Sequence, residues 1–253
     1  PIRVRLQDLA DDAGVTQTRP PGGGQIPPPG HRRYRNESMR TQIDDIATIQ
    51  IGYQFREKLT MASDGTHQVI QVKDIDEHND HRLVPSSLYR VTPKRHAEKY
   101  EVTNGDVLFP SKGRRNYATL VDGLIEDYPS IKPDGSRSTF SVKTIAASYF
   151  YSLKPKSDRV RPEYLTWAIN APPAQAYLQS MASGSAMPFI PKQSLVEMEI
   201  DIPDLDTQQT IVQLHALSLQ EGRLLKRLEQ RRSDLVTGVC LAAARQRPTR
   251  NKE

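Results

Sequence analysis

Between residues 46 and 202, apolar runs of strand length recur between turn-forming residues: IATIQI (46–51), HQVIQV (67–72), DVLF (106–109), YATLVDG (117–123), FSVKTI (140–145), SYFYSLK (148–154) and LVEMEIDI (195–202). β-Branched and aromatic residues bounded by Gly, Pro, Asn and Asp predict strands. The last run alternates best, with Val196, Met198, Ile200 and Ile202 on one face and Glu197, Glu199 and Asp201 on the other, the two-residue period of a half-buried strand. One internal segment, PEYLTWAINAPPAQAYLQSMASGS, has helical spacing instead. Pro162 suits a first turn, and Tyr164, Leu165, Trp167, Ala168 and Ile169 follow at helical intervals until Pro172 and Pro173 interrupt. A second short helix then runs through Ala174, Tyr177, Leu178 and Met181 to a stop at Gly184. Tyr164 and Trp167 read as core anchors.

The pattern changes again after Pro203, which ends the strand run. Asp206 or Thr207 can cap a helix, and Gln209 stands three residues after Asp206 as in a capping box. Leu214, Leu217, Leu224, Leu228 and Leu235 recur at intervals of three, four and seven, flanked by Ile211 and Leu225, while Gln220, Arg223, Lys226, Arg227, Gln230 and Arg231 cover the other side; Gly238 is the expected stop. About thirty residues at about 1.5 Å each span roughly 45 Å, more than a domain of this size covers with its own surface. The leucine seam therefore needs a partner outside the globular part. Ser218, Glu221 and Gly222 interrupt it midway, which favours a short coiled coil over a long zipper. The alternative is a helix folded back on its own domain.

Four regions follow: an arm over 1–38, where LQDLADDAG is a short helical candidate and TQTRPPGGGQIPPPGHRRYRNES is too rich in Pro and Gly for a core; a strand-rich domain over 39–203; a long helix over 204–238; and a basic tail over 239–253. The fold class expected is α+β, a mixed, strand-rich domain followed by one long α-helix that pairs in a coiled coil.

Composition narrows the chemistry. With 253 residues and a single cysteine, Cys240, the chain builds neither a disulfide framework nor a zinc site on cysteine pairs, and a cytoplasmic setting is expected. No run reaches the length of a membrane span. The formal charge of +5 has a definite place: from Glu221 to Glu253 nine Lys/Arg face four acids, and the rest balances at 26 against 26. Basic clusters elsewhere (HRRYR, SKGRRNY, KPKSDRVR) face an acidic one, DIDEHND at 74–80, so folding must separate the signs if a nucleic-acid surface exists. Phosphate-binding glycine loops, HExxH and GxSxG are absent, and His67, His96 and His215 stand isolated. Asp74, Asp76, Glu77 and Asp80, with His78 and His81 interleaved, read as a surface turn, with a metal nuclease centre as the rival. The chain reads as non-catalytic and without a cofactor.

The segments IATIQIGYQFREKL, VIQVKDID, TNGDVLFPSKG, GSAMPFIPKQSLVEMEIDIP and PDLDTQQTIVQL, in that order, resemble a target recognition domain of the type I restriction-modification specificity subunits with its spacer helix. The resemblance covers about 40–238. In that family two inverted recognition domains, held apart by two packed helices, each read half of a bipartite DNA site in the major groove. This chain has one domain and one helix, so the resemblance implies a half-subunit, a homodimer through Leu214, Leu217, Leu224, Leu228 and Leu235, antiparallel, reading an interrupted palindrome; a truncation whose second half lies elsewhere is the alternative.

Lys112, Arg114, Arg115 and Asn116, just after DVLF, offer phosphate charge and Arg/Asn geometry for base edges. The resemblance adds Gln54, Phe55, Arg56 and Lys58 in a second loop, and Ser185, Met187 and Phe189 in a third; Phe189 reads either as a DNA contact or as packing beneath the sheet. Arg223, Arg227 and Arg231 face either phosphates or a partner. The implied partners are double-stranded DNA, a methyltransferase that itself carries S-adenosylmethionine, and a restriction translocase. A nuclease using Asp74 or Asp76, and an assembly adaptor that reads no DNA, are the alternatives.

Overall fold

A computed structural model describes residues 39–56, 59–62, 64–94, 96–113, 116–125, 127–131, 137–156, 158–184 and 187–245. The arm over 1–38, the end of the tail, Lys58, Arg114, Arg115 and Ser185 lie outside them.

An antiparallel four-stranded sheet forms the centre, ordered Ala47–Ile51, Phe150–Pro155, Val107–Pro110, Thr119–Leu120. Its inner strands are apolar on both faces because both are covered. Val107, Phe109, Tyr151 and Leu153 face one core, shared with Leu165, Ile169, Leu178, Ile190, Leu195 and Ile200. Leu108 and Phe150 face a second, with Ile70, Val102, Val121 and Ala146. Fully burying each such side chain contributes about 1.5–3 kcal/mol.

A second sheet places Lys143–Ala146 parallel to His67–Ile70, which pairs antiparallel with Tyr89–Val91. A third core lies against it, built on Val69, Val91, Ile145 and Tyr53. Met39–Gln42 pairs antiparallel with Glu199–Ile202 and so ties the two ends of the domain together.

Helices Pro162–Asn170 and Pro172–Met181 form as the proline spacing predicts, each with proline in its first turn. Tyr164 is buried and its hydroxyl donates to the Asp201 carbonyl at 2.7 Å. Trp167 is only half-buried, packed on the rim of the main core. LVEMEIDI splits: Lys192–Val196 is a helical turn and only Glu199–Ile202 is strand. The alternation holds for Met198, Ile200 and Ile202, all buried, but Pro191 caps a turn that takes Val196 out of the strand.

The long helix runs Leu205–Arg245, and two expectations about its ends change. Asp204, not Asp206 or Thr207, caps it: its carboxylate accepts the Thr207 backbone N–H and hydroxyl, both at 2.8 Å. These bonds favour the ionised form and hold the Asp204 carboxyl below its ordinary range. Gly238 does not stop the helix, because a glycine costs only about 1 kcal/mol in a helix interior and ends one only where the chain turns left-handed.

Candidate nucleic-acid interface

Two of the three loops singled out in the sequence are stitched together by backbone. Lys112 and Phe189 form an antiparallel bridge, the Gly113 N–H donates to the Pro188 carbonyl at 2.9 Å, and the Ile190 N–H to the Ser111 carbonyl at 2.9 Å. Gly113 has φ +108°, a conformation that glycine adopts without strain. The Tyr151 hydroxyl, from the central sheet, donates to the Ile190 carbonyl at 3.0 Å and pins the third loop.

The segment joining the two sheets organises the rest. The Ser111 N–H and hydroxyl both donate to the Tyr149 carbonyl at 2.9 Å. Just before it in the same stretch, the Tyr53 N–H donates to the Ala146 carbonyl and the Ser148 N–H to the Tyr53 carbonyl, so the loop carrying Gln54 and Arg56 starts from the same segment. A Cβ on Gly52 would stand 2.3 Å from the Ala147 carbonyl oxygen; only glycine allows this approach.

On this frame Gln54, Arg56, Lys112 and Met187 are exposed, Met187 at 59%. Phe189 is 36% exposed while its neighbour Ile190 is buried, so its ring sits at the surface rather than beneath the sheet. Gln54 and Arg56 line an open cleft of about 460 Å³ with Phe55, Thr92 and Lys94. Asn116 differs: it is buried, and its side-chain amide donates to the Pro110 carbonyl at 2.6 Å. It braces the loop from below.

The acidic turn has two separate functions in the fold. Asp74 is fully buried, accepting from the Gln71 N–H, Lys73 and the Ser87 hydroxyl, which makes it a turn anchor. Among the described residues no cluster of three His, Cys, Asp or Glu side chains has metal-ligand spacing. The tip reaches in two directions. His81 stacks on Tyr117 at 4.3 Å between ring centres, beside a cleft of about 320 Å³ lined by Glu77, Lys112 and Tyr149. Asp80 stands 3.5 Å from His215 and the Asn79 side chain accepts from Arg223, so neither His215 nor Arg223 is isolated on the long helix. Asp80 and His81 both have left-handed backbone, φ 55° and 52°.

GDVLF also acquires a physical meaning. Gly105 is left-handed at φ +96°, and Asp106 accepts the Thr103 N–H at 3.0 Å, closing the turn before the buried strand. Burial pushes the Asp106 carboxyl up, against the Thr103 N–H and the Lys154 ammonium at 3.8 Å.

The helix is joined to the domain through Gln208, which sequence reasoning passed over. Its side chain is fully buried; its oxygen accepts the Arg161 N–H at 2.9 Å, and its amide donates to the carbonyls of Arg159 and Pro203 at 2.7 and 2.8 Å. Ile211 and Val212 pack on the main core. The seam does not: Leu214, Leu217, Leu224, Leu228 and Leu235 are between 51% and 67% exposed, so the helix is anchored at its base without folding its leucines back. Cys240 is exposed on the same helix.

A family model described as the type I restriction modification DNA specificity domain matches residues 36–229. The chain belongs to that family, the DNA-recognition and non-catalytic part of restriction-modification systems. Among solved structures, one described as the structural basis of complex assembly and conformational transition of the type I R-M system matches with a TM-score of 0.55 at 17% identity, covering 87% of this chain and 46% of that one; it shares the fold. The type I restriction-modification S subunit from M. genitalium (TM-score 0.44, 12% identity, 76% and 41% covered) and the HsdS subunit from Thermoanaerobacter tengcongensis (0.43, 18%, 83% and 45%) also match. The chain spans less than half the length of these solved chains. No curated protein matches it. Among the described residues no helix is long and apolar enough to cross a membrane.

Proposed function

We propose that this chain carries a recognition domain of a DNA specificity subunit: it reads one half of a bipartite site, pairs with a second copy through its long helix, and directs a methyltransferase to the DNA it selects. The observation that carries this reading is the pairing of two surfaces on one compact unit. One is the set of loops around Gln54, Lys112 and Met187, rooted on residues 146–149. The other is the leucine seam, exposed on a helix that Gln208 locks to the same domain. Phosphate charge positions such a protein, and side chains at the loop tips read base edges. Methyl transfer belongs to the partner, which binds S-adenosylmethionine; a restriction translocase docks on the same assembly.

The test is the mass of the purified chain by light scattering, with Leu224→Lys/Leu228→Lys beside it. The proposal expects a dimer that the double substitution converts to a monomer. A wild-type chain that is a monomer at all concentrations overturns it.

A further inference from the structure

We infer that the two helices pair antiparallel in one register, with the twofold axis at Lys226 and the seam closed by Glu221 of each copy against Arg231 of the other. The inference rests on the dimer reading above and gives it a geometry.

At about 100° per residue, Leu214, Leu217, Glu221, Leu224, Leu228, Arg231, Leu235, Gly238 and Ala242 occupy one side of the helix, with the alternating three and four spacing of a coiled-coil seam. Gln208, Val212, His215, Leu219 and Arg223 lie on the opposite side, and the domain holds Gln208, Val212, His215 and Arg223 there, with Ile211 on the flank between that side and the seam. The seam thus points away from the chain's own domain along the whole helix, and its charged interruptions, Glu221 and Arg231, are exposed.

A twofold axis pairs positions equally distant from it. With the axis at Lys226, Leu224 meets the partner's Leu228, Leu217 meets the partner's Leu235, and Leu214 meets the partner's Gly238, where no side chain competes for space. Glu221 meets the partner's Arg231. Every leucine of the seam then faces an apolar partner or a glycine, and the only acid in it faces the only base. Shifting the register by one heptad either way puts Leu228 or Leu214 against Arg231. A parallel pair sets Glu221 against Glu221 and Arg231 against Arg231, like charges that cost stability on facing helices. Arg227 and its own copy lie one residue on either side of the axis on the same solvent-facing flank, a like-charge approach that salt screens.

The experiment is a charge-swap cycle on the full chain, read as the dimer dissociation constant by analytical ultracentrifugation. Glu221→Arg and Arg231→Glu should each weaken the dimer by about tenfold or more, and the double variant should return to within about threefold of wild type. Both sites are exposed in the single chain, so folding is unaffected. A double variant as weak as the single losses multiplied overturns the register; if Leu224→Lys/Leu228→Lys still breaks that dimer, the pairing reading stands without it. A wild-type chain that sediments as a monomer overturns both.

Discussion

Replacing Gln208 by leucine keeps the volume of a fully buried side chain and removes its hydrogen bonding. The Arg161 N–H and the carbonyls of Arg159 and Pro203 lose their partner. Each neutral bond contributes about 0.5–1.5 kcal/mol net, and a buried group left without one costs more. The expected destabilisation is about 2–4 kcal/mol, measured as a lower urea midpoint at unchanged slope. Gln208→Glu separates the roles of the two ends of the side chain: its oxygens still accept from Arg161 but cannot donate to the two carbonyls, so it should also destabilise while keeping part of the Arg161 bond. Amide exchange at Arg161 reports this directly, with faster exchange in the leucine variant. A midpoint for Gln208→Leu equivalent to less than about 0.5 kcal/mol of loss would refute the view that this side chain locks the helix to the domain.

Three other perturbations address the loops and their support. Lys112→Ala should weaken DNA binding by a similar factor on every sequence and lower the salt dependence of log K by about one charge, measured by fluorescence anisotropy at several salt concentrations. Gly52→Ala forces a Cβ against the Ala147 carbonyl and should cost several kcal/mol, on the order of 2–4, with loss of DNA binding in proportion to unfolding. Asp106 binds its proton more tightly folded than unfolded, so it lowers stability as pH rises from its ordinary value of 3.8 through its raised folded value; Asp106→Asn should flatten that part of the stability profile measured by urea titration.

Most strand runs from 46 to 154 were legible because β-branched residues and turn formers mark them whatever their partners are, but FSVKTI straddles two strands of different sheets, Arg137–Ser141 and Lys143–Ala146, and only Thr119–Leu120 of YATLVDG is strand. Buried strands such as Val107–Pro110 show no alternation, so the sequence could not say which sheet or core they joined. The loops were legible as places, but their assembly was not: the bridge between Lys112 and Phe189 joins residues far apart in sequence. Asn116 looked like a base reader because its chemistry suits adenine; burial alone distinguishes a brace from a reader. Gln208 was invisible for the opposite reason, since a glutamine in the first turns of a polar helix carries no sign that it is buried. Its only trace was the QQ pair just after Pro203. Gly238 misled because glycine signals a helix end only when tertiary structure makes the chain turn there.

The central claim is that two copies of this domain read DNA about a twofold axis. Selecting bound duplexes from a random-sequence pool with the purified wild-type chain tests it most directly. The account predicts enrichment of one short sequence repeated in inverted orientation across a gap of fixed length. A pool enriched in a single uninterrupted motif, or one with no enrichment, would contradict it.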